Sequence, residues 1–205
     1  MLSDFISHSH TDALSDENFE KWHCGIPYYG FWAILIEKPE YLALISQAQT
    51  HFQNFFLPGY SRQAHITLNA CGLMSEAHFS EAALDKQIRI VKEMKLSAFE
   101  ISLSHIDSFT TAAYVNISDS SHSLYKINEA LSLISNDSKP TTYQPHITLG
   151  LYREKFKSKF VAEEIMNFGR IEMPSLLVSE IQFCRYQTSN IQGPIEVMKT
   201  IKLGL

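Results

Sequence analysis

The tetrapeptide His65-Ile66-Thr67-Leu68 returns unchanged as His146-Ile147-Thr148-Leu149, 81 positions later, and this repetition restricts the chain's architecture more than any other feature. The copies also sit in matching surroundings. Phe31 lies 34 positions before His65 in an apolar strand pattern, and Ala112 lies 34 positions before His146 in another. A shared offset in both identity and pattern is the mark of a duplicated unit.

Hydrophobic periodicity gives each unit the order β-α-β-α-β. In the first, strands at 30–37, 64–69 and 98–106 alternate with helices at 39–56 and 75–94. Pro39 opens the first helix and Ser75 begins the second. In the second, strands at 111–117, 146–152 and 177–186 alternate with helices at 120–134 and 155–168. A last strand, 195–203, follows the turn Gln192-Gly193-Pro194. The expected class is therefore α+β, a duplicated β-α-β-α-β chain with repeat one at about 30–107 and repeat two at about 110–203. No Pro, Gly or Ser linker divides it, so residues 26–205 are expected to form a single domain, long enough for two small lobes, behind an N-terminal segment, 1–25.

Charge separates that segment from the rest. The 205 residues carry 17 Lys+Arg and 22 Asp+Glu, yet Asp4, Asp12, Asp16, Glu17 and Glu20 fall in the first twenty residues, which hold no Lys or Arg. From Lys21 onward the balance is 17 to 17. A neutral body lacks the basic excess of a protein that coats long nucleic acid, so a nucleic-acid partner would be short or recognised at one group. The acidic start reads as an appended surface segment, with His8-Ser9-His10 a mobile surface feature rather than a metal site. No apolar run exceeds the six residues Phe31 to Ile36, so no membrane span is expected. Three scattered cysteines, Cys24, Cys71 and Cys184, read as reduced thiols of a cytoplasmic protein.

Side chains alternate across a strand, so His65 and Thr67 share one face while Ile66 and Leu68 point to the other, and the second motif copies this. With the apolar pairs under the helices, two His-Thr pairs related by a pseudo-twofold axis would meet across a cleft. That arrangement suits displacement at phosphorus, where attacking and leaving oxygens lie on opposite sides of the reacting atom. Imidazole titrates near pH ~6.5, which allows one copy to act as base and the other as acid. The threonine hydroxyls can donate to non-bridging oxygens, and the scheme requires neither metal nor cofactor.

Two His-x-Thr motifs, one in each half of a chain this size, resemble the two-histidine (2H) phosphoesterase superfamily, which includes 2′-5′ RNA ligase-like proteins and RNA 2′,3′-cyclic phosphodiesterases. The resemblance runs from Phe31 to about Leu203. Pro145-His146-Ile147-Thr148-Leu149-Gly150 follows the family pattern closely, whereas Ala64 stands where proline is common in the first copy. It implies two mainly antiparallel sheets facing a central cleft. It also implies metal-independent hydrolysis of a 2′,3′-cyclic, 2′-5′ or related phosphodiester in a small nucleotide or RNA end, with His65, Thr67, His146 and Thr148 as the catalytic set.

Continued alternation nominates further groove residues: Asn69 and Cys71 beyond the first motif, Gly150 and Tyr152 beyond the second, and Gln182, Cys184 and Tyr186 on the last strand of repeat two. Tyr152 and Tyr186 are candidates for stacking on a base, as is Tyr114, each weighed against packing at a lobe edge. Arg185 is expected on the core side beneath Tyr186. The basic stretch Arg153 to Lys159 reads as a solvated helical turn, Arg62 as surface, and His105 with Asp107 as a strand-end pair. Two other functions stay open: a nucleotide-binding or signal-sequestering module with little turnover, and a metallohydrolase using His65, His146 and Asp107 or Asp119.

Overall fold

A computed structural model describes residues 2–13, 21–135 and 142–204. Its strands are β1 (Tyr28–Leu35), β2 (His65–Leu73), β3 (Phe99–Ser108), β4 (Ala112–Ser118), β5 (His146–Leu151), β6 (Leu176–Val178), β7 (Glu180–Gln187) and β8 (Glu196–Lys202). The helices are α1 (Leu2–Ser7), α2 (Pro39–His51), α3 (Glu81–Glu93), α4 (Ser123–Ser132) and α5 (Ser158–Phe168).

The strands run in the order β6-β3-β4-β5-β2-β1-β7-β8, every adjacent pair antiparallel. One half of the sheet holds β1, β2, β7 and β8, and the other holds β3, β4, β5 and β6. Their inner edges meet at the single pair Ile66↔Ile147. The two halves thus form one curled antiparallel sheet, joined along its inner edges and open as a half-barrel on its other face.

These halves are not the two sequence repeats. The third strand of each repeat is exchanged: β3 leaves repeat one to pair with β4, and β7 leaves repeat two to pair with β1. The stretch 177–186, which reads as one strand, breaks at Ser179. Its first part, β6, closes the β3 edge, and its second, β7, crosses to the other half.

The repeat itself is present as register. Leu35↔His65 and Ala33↔Thr67 on β1 and β2 match Asn116↔His146 and Tyr114↔Thr148 on β4 and β5, each at the 81-residue offset. Under the sheet a continuous core joins Trp32, Ile66, Leu68, Ile127, Ile147, Leu149 and Phe183, all fully buried or nearly so. Burial of such apolar side chains contributes about 1.5–3 kcal/mol each. Helix starts follow local chemistry. Pro39 opens α2, while the cap of α3 is Ser80, whose hydroxyl accepts from the Ala83 N–H, and not Ser75, which instead bonds His78.

The described part of the N-terminal segment is fastened to the body, contrary to a mobile surface tail. Phe5 is buried, and fully buried Thr11 donates its hydroxyl to the Glu154 carbonyl (2.9 Å) and accepts from the Phe156 N–H (2.8 Å). The basic residues Arg153, Lys155, Lys157 and Lys159 are exposed, as a solvated stretch should be, but the segment before α5 is not a helical turn and is latched by a bridge from His10 to Lys157. Residues 14–20, with most of that segment's acidic charge, lie outside the described residues. Among the described residues no helix is long and apolar enough to cross a membrane.

Candidate active site

The pair Ile66↔Ile147 lies on the axis relating the two motifs. Antiparallel register through that pair turns His65 toward Thr148 and Thr67 toward His146. Both isoleucines are fully buried beneath, so the four polar side chains share the opposite face. The motif residues therefore come together as one patch on adjacent strands.

Each histidine is aimed by its own chain. His65 Nδ1 donates to the carbonyl of Gln63 and His146 Nδ1 to that of Gln144, both at 2.7 Å. A carbonyl only accepts, so Nδ1 carries the proton and Nε2 keeps the lone pair that exchanges protons with a substrate. The glutamine side chains pin these strand entries in turn. Gln63 exchanges two hydrogen bonds with the backbone of Ile195, and Gln144 donates to Asn116, the residue opposite His146. The repeat therefore extends two residues upstream, as Gln63-Ala64-His65 and Gln144-Pro145-His146, a sequence signal that the tetrapeptide alone does not include.

The environments of the two rings differ. His65 is only 9% exposed and packs against Phe31 at 5.5 Å, and burial is the main force that lowers its pKa to about 4. The Gln63 carbonyl opposes that shift, while positive charge on Arg62 and His146 adds to it. His146 is half-buried, and burial lowers its pKa against the raising effect of its bond to Gln144. Tyr114 and Phe109 flank it at 5.2 and 5.0 Å and stack on each other at 4.3 Å. Phe109 is 37% exposed, a large apolar ring held open beside a histidine, and no sequence pattern singles it out.

Of the three tyrosines nominated from sequence, Tyr186 and Tyr114 flank the motifs. Half-buried Tyr186 stacks on Tyr29 and contacts Phe31, with the Arg62 guanidinium 4.0 Å from its ring centre. Arg62 also donates to the carbonyls of Ile191 and Gly193, so it braces the loop after β7 instead of lying free on the surface. Tyr114 is only 4% exposed and presents little surface of its own.

Tyr152 is a correction: it is fully buried, its hydroxyl 2.6 Å from Ser108 Oγ, and touches no cleft. The cause is a β-bulge. Tyr114 pairs with Thr148 but Ala113 pairs with Gly150, so Leu149 is an extra residue and the strand's phase inverts behind it. Gly150 likewise turns inward, where an added Cβ would stand 2.5 Å from the Phe56 ring.

The first motif carries the same bulge at the same place. Ala33 pairs with Thr67 and Trp32 with Asn69, which leaves Leu68 extra. Asn69 and Cys71 consequently point into the core, not the groove. There fully buried Gln87 accepts from Trp32 Nε1 (2.8 Å) and donates to the Leu131 carbonyl (3.0 Å), beside Asn69, Cys71 and Ser135. Gln182 and Cys184 are buried as well, Gln182 bonded to the Leu35 N–H and to Glu180. Arg185 faces away from Tyr186, paired with Glu196 at 2.8 Å and lying over Tyr28.

His105 and Asp107 stand 3.8 Å apart, with Asp107 buried and the imidazole largely exposed. Asp119 is consumed as a cap, accepting from the N–H groups of Ser121 and Leu124 at the start of α4. Among the described residues no three His, Cys, Asp or Glu side chains are grouped to hold a metal ion.

A family model described as the 2′-5′ RNA ligase superfamily matches residues 40–190. Solved structures with the same fold include a phosphoesterase (15% identity, 87% of this chain and 100% of that one, TM-score 0.55). Another is E. coli LigT complexed with 3′-AMP (16% identity, 87% and 99%, TM-score 0.54). A third is the TT0787 protein of Thermus thermophilus (14% identity, 85% and 97%, TM-score 0.54). LigT has also been solved with phosphate, NADP+ and ATP. A comparison with curated protein sequences finds no match.

Proposed function

Starting from the fact that this chain belongs to the 2′-5′ RNA ligase superfamily of 2H phosphoesterases, we propose that it is a metal-independent phosphodiesterase acting on a 2′,3′-cyclic, 2′-5′ or related phosphodiester in a small nucleotide or RNA end. One observation carries the reading. Each motif histidine has Nδ1 fixed on the carbonyl two residues upstream, which leaves two symmetry-related Nε2 atoms as proton carriers on one polar patch. The nucleotide complexes of LigT, a protein of the same fold, agree with a small nucleotide as ligand.

For a cyclic phosphate the balance is simple. His65 Nε2 takes a proton from water as its oxygen bonds to phosphorus; the bond from phosphorus to a ribose oxygen breaks, and His146 Nε2–H protonates that oxygen. Thr67 and Thr148 donate to the non-bridging oxygens. A monoester results, and the two imidazoles have exchanged protonation states, to be reset by solvent.

Their unequal burial supports a division of roles. His65, lowered to about 4, is neutral over most of the pH range and suits the base. More open His146 suits the acid, and the phosphate's negative charge favours its protonated form. Activity should then require pH above the His65 pKa and below that of His146, which places the optimum of kcat/KM on the acid side of about 6.5.

The test is a turnover screen in EDTA against 2′,3′-cyclic mononucleotides, 2′-5′ and 3′-5′ dinucleotides, cyclic dinucleotides and ADP-ribose cyclic phosphate. Hydrolysis with an acid-side optimum is expected. Tight nucleotide binding without turnover from about pH 4 to about pH 8, the span over which imidazoles titrate, would replace the enzyme with a sequestering module.

A further inference from the structure

The bulge residues of both motif strands are gripped by side-chain amides, and the grips are crossed. Gln49 Nε2, on α2 of repeat one, donates to the carbonyl of Leu149 in repeat two at 3.0 Å. Asn128 Nδ2, on α4 of repeat two, donates to the carbonyl of Leu68 in repeat one at 2.8 Å. Leu68 and Leu149 are the extra residues of the two bulges, without a partner residue across the ladder, and both are fully buried. A third bond crosses in the same sense, from the Tyr143 hydroxyl to the Thr67 carbonyl at 2.9 Å.

A bulge is the point at which a strand changes phase, and a shift of one residue in register moves every side chain to the opposite face. The bulges after Thr67 and Thr148 therefore decide where the His-x-Thr face ends and the core begins. A buried carbonyl stripped of its donor is costly, and the strand can relieve that cost by sliding toward regular pairing, which re-aims the adjacent threonine and histidine. We propose that Gln49 and Asn128 are positioning residues, each locking the bulge that orients the His-x-Thr motif of the opposite repeat. Neither touches the reacting atoms. The catalytic consequence rests on the function proposed above; the structural coupling does not.

Gln49→Met and Asn128→Leu retain bulk and remove the donor. In 15N-labelled protein, long-range 1H–15N spectra recorded through a pH titration follow the ring nitrogens of His65 and His146 directly. Gln49→Met is expected to displace the His146 signals and midpoint and spare His65, and Asn128→Leu to do the reverse. On any phosphodiester the wild type turns over, each variant should lose about tenfold in kcat with KM within about twofold, as expected for one misaligned hydrogen-bonded group. The pH-profile limb of the affected histidine should move as well.

Imidazole signals unmoved in both variants, with the fold intact by near-UV circular dichroism, would overturn the proposal. So would equal displacement of both histidines in each variant, the sign of general loosening. If a variant fails to fold, Gln49→Glu and Asn128→Asp, which keep the shape and replace the donor with an acceptor, are judged by the same signals. Inactive wild-type protein would defeat the proposed function, while the spectra still decide the coupling.

Discussion

His65 and His146 occupy equivalent points of one duplicated frame, with the same carbonyl anchor at the same 2.7 Å and the same bulge three residues on. Their surroundings are nonetheless unlike. His65 is closed in by Phe31, with Arg62 and Tyr186 nearby, whereas His146 opens to the cleft beside the exposed ring of Phe109. Duplicated strands supply the geometry twice, and unduplicated flanks give each copy its own surroundings, although burial lowers the pKa of both rings. A symmetric backbone thereby carries two rings of unequal exposure, the difference on which the proposed division into base and acid rests.

Substitution of the histidines should cost most. His65→Ala and His146→Ala should each cost about 10²–10⁴-fold in kcat, the usual worth of general acid–base catalysis. Residual rates against pH sharpen the assignment: loss of the acid limb in the first variant and of the alkaline limb in the second is expected, and loss of the same limb in both would reverse or abolish the division of roles.

Thr67→Val and Thr148→Val come next, at about 10²-fold in kcat each, since each removes a donor to developing charge. Equal losses would show that the phosphate is held symmetrically even though its proton carriers are not. Phe109→Ala tests the open side alone. It should raise KM by about tenfold for a base-bearing cyclic nucleotide, from loss of a stacking surface, and leave a base-free cyclic phosphate unchanged. Equal changes for both substrates would make Phe109 a packing residue of His146 and Tyr114.

The smallest effect concerns positions behind the bulges, Asn69 in one half and Gly150 in the other. They are equivalent by register but meet different neighbours, a polar network around Gln87 and the ring of Phe56. Gly150→Ala should lower stability by about 1–3 kcal/mol through overpacking, measured by urea denaturation, with little change in the residual rate constant of the folded protein.

Legibility of the sequence tracks the range of the forces involved. The 81-residue offset is visible because both copies keep the same polar pair on the same strand face, and the motif residues accordingly meet on one patch. Phase beyond Leu68 and Leu149 is not visible, since apolar and polar residues continue to alternate through both bulges. Alternation carried past these points puts Tyr152, Asn69, Cys71 and Gly150 on the wrong face for this single reason.

The exchange of β3 and β7 is hidden differently. Partner choice between similar antiparallel strands depends on tertiary packing, and the short break at Ser179 carries no proline or glycine to announce it. Thr11, an ordinary residue in an acidic stretch, likewise gives no local sign that it ends up fully buried between Glu154 and Phe156.

Strand exchange also sets an order of events during synthesis. β1 lies between β2 and β7, and the edge that β7 covers stays bare until the chain has been made beyond Gln187. Until then the apolar run Phe31 to Ile36 is an unpaired template of the kind that invites strand addition from other chains. A nascent chain that stalls before Glu180 would keep that edge exposed, and closure by β7 must come late and over long sequence separation, the slow class of contact.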